Sequence, residues 1–598
     1  MASSVSVLLE NMMNSVIFQD QFDQISAIAA DELHAEDILS KVKLEDLLHT
    51  SSFVLIDDLL IRWLAGREAA EDKQAALSGF SIPEICNERQ RFHFGQQRKN
   101  QYKALLAGFH LLNAVEFSPA GNLKDLIDSY IKKDYQIDTD YRKFIGSLDR
   151  IEDTRDFETL TDLLQNIYVN DYLEKIVYQW NKAFQENAFH HVITEQKDFY
   201  HSKVEPIREK VAVIISDAFR YEAAQELFGR LKADPNMDVA MSPMLTALPS
   251  VTMIGMAELL PHDKITLSAD KTPAVYLDEK PTSTTANREK ILQGRNPKSA
   301  TIDINSLTVM KSKEMKDFTA GKEVIYIYHN RIDSIGEDLK TENSVFAATE
   351  DTIDKLFKLV RTLSKSGNVY RFLITSDHGF IYTRKKLEET DKLENIAGKG
   401  AFVDRRFIID DQDHTMDGIY SLPLGDVLGN SDPRYISLAK GMSVFKCGGG
   451  MNYVHGGASP QEMLVPCMFI KAQKGFVETE DVKFNLITDL RKVTNLKLKL
   501  DFYQEQPVSD MVKPATFRIR FESEDGEIIS NEVLYKADNR SNQPGDRIVA
   551  LHFDIKKKSY SNDRKYFLKV LNEETNAELM SRQVIMDLPF TEDFGFGV

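Results

Sequence analysis

VAVIISDAFRYE, residues 211–222, is the stretch on which the fold turns. Its first six residues carry almost no polarity, as a strand buried on both faces requires, and the run then breaks at Ser216-Asp217. FRYEAAQELFGRL (219–231) follows at helical spacing. The pattern recurs in EVIYIYHNRID (323–333) and in YRFLITSDHGF (370–380), with helical TEDTIDKLFKLVRTL (349–363) between them. Strands alternating with helices predict a mostly parallel α/β sheet sandwiched by helices. Ligands of such sheets sit beyond the carboxyl ends of the strands, which gives priority to Asp217, the stretch from His329 to Asp333, and Asp377-His378.

Outward from this core the periodicity changes on both sides. Toward the N terminus Gly and Pro are scarce, and DLIDSYIKK (125–133), FETLTDLLQNIY (157–168) and YLEKIVYQWNKAF (172–184) repeat apolar residues at helical spacing. Histidines 34, 49, 93, 110, 190, 191 and 201 show no metal-ligand spacing, so this region is assigned packing rather than chemistry. After about Lys474 the period becomes two, in Leu496, Leu498, Leu500 and Phe502, in Phe517, Ile519 and Phe521, and in Val549, Leu551, Phe553 and Ile555. EDGE (524–527) and NQPGD (542–546) separate these runs as turns. The expected organisation is a helical domain over 1–200, a catalytic α/β domain over 201–474 and a C-terminal β-sandwich over 475–598.

Composition excludes several classes of function. A net charge of -18 repels nucleic acid and anionic membrane, so a polyanion has to be held by a local positive site. Three cysteines, Cys86, Cys447 and Cys467, with no CxxC pair, exclude a disulfide scaffold and a thiolate zinc finger and fit a reducing compartment. No stretch is apolar for long enough to span a membrane, and the opening MASSVSVLLENMMNSVIF has no basic leader, so a cytoplasmic location is expected. Without a GxxxxGK[ST] there is no support for Walker-type nucleotide hydrolysis.

The chemistry concentrates at the strand ends. Asp217, Asp333, Asp377-His378 and, in YVHGGASPQEMLVP (453–466), His455 are hard-oxygen and imidazole groups suited to zinc or manganese. Taken singly, an Asp after a strand is more often a helix cap, and SDAFRYE reads equally well as one. Repetition at one edge is the stronger signal, because burying acidic groups there is otherwise costly. Thr252, in TALPSVTMIGMAELLP (246–261), opens a helical stretch, and on physics alone an N-cap is its favoured role. Arg220, and Arg405 and Arg406 of the loop segment FVDRRF (402–407), can clamp phosphoryl oxygens or be ion-paired structurally. The glycines of CGGGMNYVHGG (447–457) can bring backbone amides near a substrate.

The ordered set IISDAFR, LPSVT, YHNRIDSIGE, ITSDHGF and VHGGAS resembles the PglZ branch, type A, of the alkaline phosphatase superfamily, known from BREX phage-defence systems. The resemblance covers the central region and implies an alkaline phosphatase-like fold with two divalent metal ions, zinc or manganese. One metal would take Asp217, Thr252, Asp377 and His378, with Thr252 as nucleophile. The other would take Asp333 and His455, with Glu337 where the wider superfamily usually has a histidine. His329 is a secondary candidate for a ligand or a phosphate hydrogen-bond donor. The implied activity is phosphatase or phosphodiesterase chemistry, with nucleic acid as a target and other BREX proteins as partners. A catalytically quiet scaffold of the BREX complex is the alternative. Members of the family often extend further at the N terminus, so this chain is expected either to lack a leading domain or to represent a short form.

Overall fold

The computed structural model describes residues 13, 19–187, 192–385, 392–394, 396–398, 400–447, 452–474, 480–488, 490–509, 512–561, 564–573 and 578–588. They fall into two compact units, one within Met12–Gly475 and the other within Phe476–Val598. No helix of the described residues is long and apolar enough to cross a membrane.

In the larger unit, helix α1 (Tyr135–Leu148) represents the N-terminal helices, and it packs against α2 (Tyr221–Lys232). One continuous hydrophobic core runs from Ala35 in the helices to Ala472 at the end of the sheet. Buried Arg142 of α1 donates to Glu222 at 3.0 Å and to Glu226 at 2.9 Å, both on α2. The expected boundary near residue 200 therefore does not separate two units. Helical periodicity reports which face is apolar and says nothing of what covers that face, and here the partner is the α/β layer.

The central sheet has strands β1 (Val211–Ser216), β2 (Met237–Leu245), β3 (Ser299–Asp303), β4 (Val324–His329), β5 (Arg371–Thr375) and β6 (Leu464–Ala472). Their spatial order is β2-β6-β5-β1-β4-β3. β5, β1, β4 and β3 are mutually parallel, whereas β6 runs antiparallel to β5 and β2 antiparallel to β6. The sheet is thus mixed, with the expected parallel strands together on one side and the antiparallel β6 and β2 on the other. Every residue of β1 and β4 is buried, which accounts for their uninterrupted apolar sequences.

FVDRRF is not a plain loop. Phe402–Val403 and Phe407–Asp410 pair antiparallel within a four-stranded sheet completed by Tyr435–Ala439 and Ile419–Pro423. These strands are short and lie close to turn-forming residues, so their period of two is easily missed. In the smaller unit a five-stranded sheet, which includes Ala515–Ser523 and Tyr566–Asn572, and a three-stranded sheet with Lys497–Gln504 at its centre share one hydrophobic cluster. Phe502, Phe517, Phe521 and Phe553 are among its aromatic members, each from a period-two run.

Candidate metal centre

Helices α3 (Thr252–Glu258) and α4 (Arg331–Gly336) carry two of the candidate residues to the edge where β1, β4 and β5 end. β1 delivers Asp217, whose backbone N–H donates to the carbonyl of His329 at 2.7 Å. The next residue, Ala218, is held at φ 59°, an uncommon conformation for a residue with a side chain. This turn aims the Ala218 N–H at Asp377 Oδ1, 3.2 Å away. β5 delivers Asp377-His378, and the Ser376 hydroxyl ties the loop by donating to the His378 carbonyl at 2.6 Å and accepting from Phe219 N–H at 2.8 Å.

Three groups converge on His378 Nε2. Thr252 Oγ1 lies 3.0 Å from it, Asp217 Oδ1 3.4 Å and Asp377 Oδ2 3.7 Å. His378 Nδ1 lies 2.9 Å from the Gly379 carbonyl, so that nitrogen carries the proton and Nε2 presents its lone pair to the cluster. Asp217 Oδ1 and Asp377 Oδ2 are buried without a hydrogen-bond partner among the described residues. Two orphaned carboxylate oxygens and an imidazole lone pair facing one point form a donor set that fits a divalent cation.

Asp333, His378 and His455 form a second group of close ligand atoms. The rings of His378 and His455 stack at 4.3 Å, so the two groups adjoin. His378 has one free lone pair, which leaves Asp333, Glu337 and His455 as the separate donor set. His455 Nε2 lies 3.4 Å from Glu337 Oε1 and 3.7 Å from Asp333 Oδ1. Tyr453 donates its hydroxyl to Asp333 Oδ1 at 2.9 Å and so orients that carboxylate.

The electrostatics express crowded acids. Burial, reinforced by the charges of Asp377 and Asp333, pushes the Asp217 carboxyl well above the ordinary carboxylate range. Burial likewise raises Asp333, against the opposing charges of His455 and His378. The hydrogen bond with His455 lowers Glu337. For His455 burial disfavours the charge, but the Glu337 hydrogen bond and the Asp333 charge outweigh it and raise the imidazole to about 9.

A cation taken up by the second group must therefore displace a proton from His455. In the metal-free chain the stabilisation from charged His455 is complete below the ordinary value of 6.5 and is lost as pH rises through about 9. Zinc or manganese binding is expected to tighten across that window and to release protons at pH 7.5. Calorimetry in buffers of different ionisation heat reads the release directly, and a binding heat independent of the buffer would contradict this ligand assignment.

Thr252 is not an N-cap. Val251 occupies the cap position of α3, Thr252 is the first helical residue, and its hydroxyl bonds His378. The cap reading failed because it weighs only local partners. α3 also approaches the loop very closely, since a Cβ on Gly255 would meet the Asp377 carbonyl oxygen at 2.2 Å. Asp217 does not cap α2 either, for Arg220 holds that position.

Three of the expected substrate contacts are placed elsewhere. Arg220 is buried, donates to Glu222 at 2.7 Å, and lies over the ring of Phe380 at 4.8 Å. Its charge acts on Glu222 and Asp138, neither of them a candidate ligand. Arg406 is buried against Glu462 at 3.3 Å and donates to the carbonyls of Gly441 and Ser443. An arginine this deep is held by the nearest carboxylate, and for both residues that is a neighbouring Glu. His329 lies 3.0 Å from Ser216 Oγ through Nδ1, and burial together with the Lys355 charge lowers it to about 4, so it remains neutral and outside both ligand groups. Arg405 differs, because it donates to the Tyr453 carbonyl at 3.0 Å and its charge reaches Glu337 and His455. Glycines 448–450 of the glycine-rich run lie outside the described residues.

Two contributors were not anticipated from the sequence. Tyr453 could have been found, because it stands two residues before His455 on an extended segment and so shares its face. Gln196 gives no such signal. It is fully buried and donates through Nε2 to the carbonyls of Ser376 at 2.9 Å and Asp377 at 2.7 Å.

The family model of the BREX system PglZ alkaline phosphatase-like domain matches residues 199–470. An alkaline phosphatase-like protein PglZ of Bacillus cereus (strain H3081.97) is 32% identical over 614 residues, covering 98% of this chain and 71% of that protein. An alkaline phosphatase-like protein BrxZ of Escherichia coli O9:H4 (strain HS) is 28% identical over 506 residues, covering 81% of this chain and 57% of that protein. Among solved structures, an inactive variant of murine ectonucleotide pyrophosphatase/phosphodiesterase 5 in complex with AMP shares 12% identity at a TM-score of 0.32, covering 44% of this chain and 88% of that chain.

Proposed function

Because the chain belongs to the PglZ family of alkaline phosphatase-like proteins of BREX systems, we propose that it is a metal-dependent phosphoesterase with Thr252 as nucleophile. The observation that carries this reading is the convergence of Thr252 Oγ1, Asp217 and Asp377 on His378 Nε2. Asp217, Thr252, Asp377 and His378 would hold one divalent metal, and Asp333, Glu337 and His455 the other, with zinc or manganese suited to both sets. Bound there, the metals would supply the positive charge that favours the ionised hydroxyl and the nonbridging phosphoryl oxygens.

The chain's own groups do the rest. Thr252 Oγ gives up its proton to solvent and attacks phosphorus in line. The bond to the leaving oxygen breaks, and that oxygen takes a proton from solvent to leave as the alcohol. Water then hydrolyses the phosphothreonine, its oxygen going to phosphorus and a proton returning to Thr252 Oγ. Tyr453 keeps Asp333 oriented, and Gln196 and Ser376 keep the Asp377-His378 loop in place. Arg405, beside the second group, is the guanidinium assigned to a phosphoryl oxygen. A phosphodiester in nucleic acid is the proposed target and other BREX proteins are the proposed partners. With a net charge of -18 the chain must hold such a polyanion locally, at the metals and Arg405.

Purified protein supplied with zinc or manganese is expected to hydrolyse generic aryl phosphate esters, and chelation to abolish the reaction. Comparing an aryl diester with a monoester identifies the class of ester preferred. Absence of both metal binding and turnover would replace this reading with that of a quiet scaffold.

A further inference from the structure

Ser250 stands two residues before Thr252, in the segment that leads into α3. It is buried and belongs to neither ligand group. Its hydroxyl donates to the Gly457 carbonyl at 2.8 Å and accepts from the Gly456 N–H at 3.2 Å. Gly456 follows His455 directly, so one buried side chain joins the segment that carries Thr252 to the segment that carries His455.

The turn after His455 is shaped for that approach. Gly456 has φ 104°, where a residue with a side chain is rarely found, and a Cβ there would meet the Phe407 ring at 2.7 Å and Val251 Cγ1 at 3.2 Å. Other groups hold the same turn from different directions. Gly457 N–H donates to Glu462 Oε1 at 2.9 Å, Arg406 lies 3.3 Å from that oxygen, and Asn181 donates to the Ala458 carbonyl. Glu462 thus ties the turn to the start of β6 and Asn181 ties it to the N-terminal helices, whereas Ser250 ties it to the start of α3.

We infer that Ser250 is a positioning residue, which sets the spacing between the Thr252 hydroxyl and the second ligand set through the His455 turn. The inference rests on the phosphoesterase reading, in which the nucleophile and a cation held by Asp333, Glu337 and His455 act on one phosphoryl group. Reacting groups on separate segments are productive only when those segments keep one register. The stack of the His378 and His455 rings at 4.3 Å brings the two sets side by side, and the paired hydrogen bonds of Ser250 add direction to that contact. Ser250→Ala deprives the buried Gly456 N–H and Gly457 carbonyl of this partner and loosens the turn on the Thr252 side. Asp217, Asp377 and His378 keep their own supports from Ala218, Gln196 and Gly379.

The test is zinc titration of the full chain by calorimetry, comparing the parent with Ser250→Ala and Ser250→Cys, while His455→Ala identifies the step that belongs to the second set. In Ser250→Ala that step is expected to weaken by about 10–100-fold, as changes behind a metal ligand do, with the other step unchanged. Ser250→Cys, whose thiol is a weaker donor of similar shape, should fall between, and it carries the comparison alone should Ser250→Ala not fold. In the metal-free chain, hydrogen–deuterium exchange should rise together in peptides covering 246–258 and 453–463. At saturating zinc the kcat for an aryl phosphate ester should stay about 10-fold or more below the parent, because the spacing remains wrong when both sets are filled. A variant that melts lower yet binds both zinc ions like the parent would reveal a structural role only and overturn the inference. Exchange raised in one segment alone, kcat restored in full by zinc, or a parent with a single zinc site would overturn it as well. A parent that binds two zinc ions without turnover would instead remove the phosphoesterase reading, and the binding and exchange comparisons would still decide the role of Ser250.

Discussion

Thr252→Ala is expected to lower turnover of an aryl phosphate ester by about 10³-fold or more, with metal content close to that of the parent. In the proposed reaction the hydroxyl forms the bond to phosphorus, while Asp217, Asp377 and His378 serve as ligands. Asp217, Asp377 and His378 remain to hold the cation when it is removed. Thr252→Ser, which keeps the hydroxyl at the start of α3, should retain a substantial part of the rate. Phosphate trapped on the chain by acid quench should be found at residue 252 and be missing from the Ala variant. If Thr252→Ala turned over at the parental rate, water would be the direct nucleophile and the covalent route would be discarded.

Asp377→Asn is expected to abolish both metal-induced stabilisation and turnover without lowering the melting temperature of the metal-free protein. The substitution keeps an oxygen that can accept from the N–H groups of Ala218 and His378, which now bond Oδ1. It removes the charge behind the orphaned Oδ2, one of those that raise Asp217. Relief of that repulsion acts in the metal-free state, while loss of an anionic ligand acts only when the cation is supplied. Opposite signs in the two conditions distinguish a metal ligand from a structural carboxylate, which would destabilise both. Thermal melting with and without added zinc or manganese reads the difference, and a metal-induced shift that survived in Asp377→Asn would remove Asp377 from the ligand set.

The strand-end candidates Asp217, Asp333, Asp377 and His378 were legible in the sequence because the information is local. A strand buried on both faces must be apolar throughout, so VAVIIS, VIYIYH and RFLIT announce themselves, and the first polar residues beyond them fall at the edge where a parallel sheet gathers its strand ends. Hard-oxygen and imidazole side chains at that edge are costly unless they bind something, so their chemistry was readable as well. Family resemblance adds an ordering that spacing cannot, and it proposes Thr252, a position whose local pattern favours a helix cap.

The roles of the arginines, by contrast, rested on contacts made across the chain. Arg220 lies three residues from Asp217, yet it turns to Glu222 and the face of Phe380, while Arg405 and Arg406 are adjacent in sequence and have different partners. A long side chain is placed by whichever carboxylate or ring the packed elements bring nearest, and Arg405 and Arg406 stand in the turn between Phe402–Val403 and Phe407–Asp410, where no strand face fixes their direction. Gln196 holds the Asp377 loop from a segment with no motif, and the helices share a core with the sheet across the boundary expected near residue 200. Residue type and burial period, which are properties of a short stretch, marked the strand-end candidates. Which of them meet depends on how separate elements pack, and a one-dimensional pattern does not contain that choice.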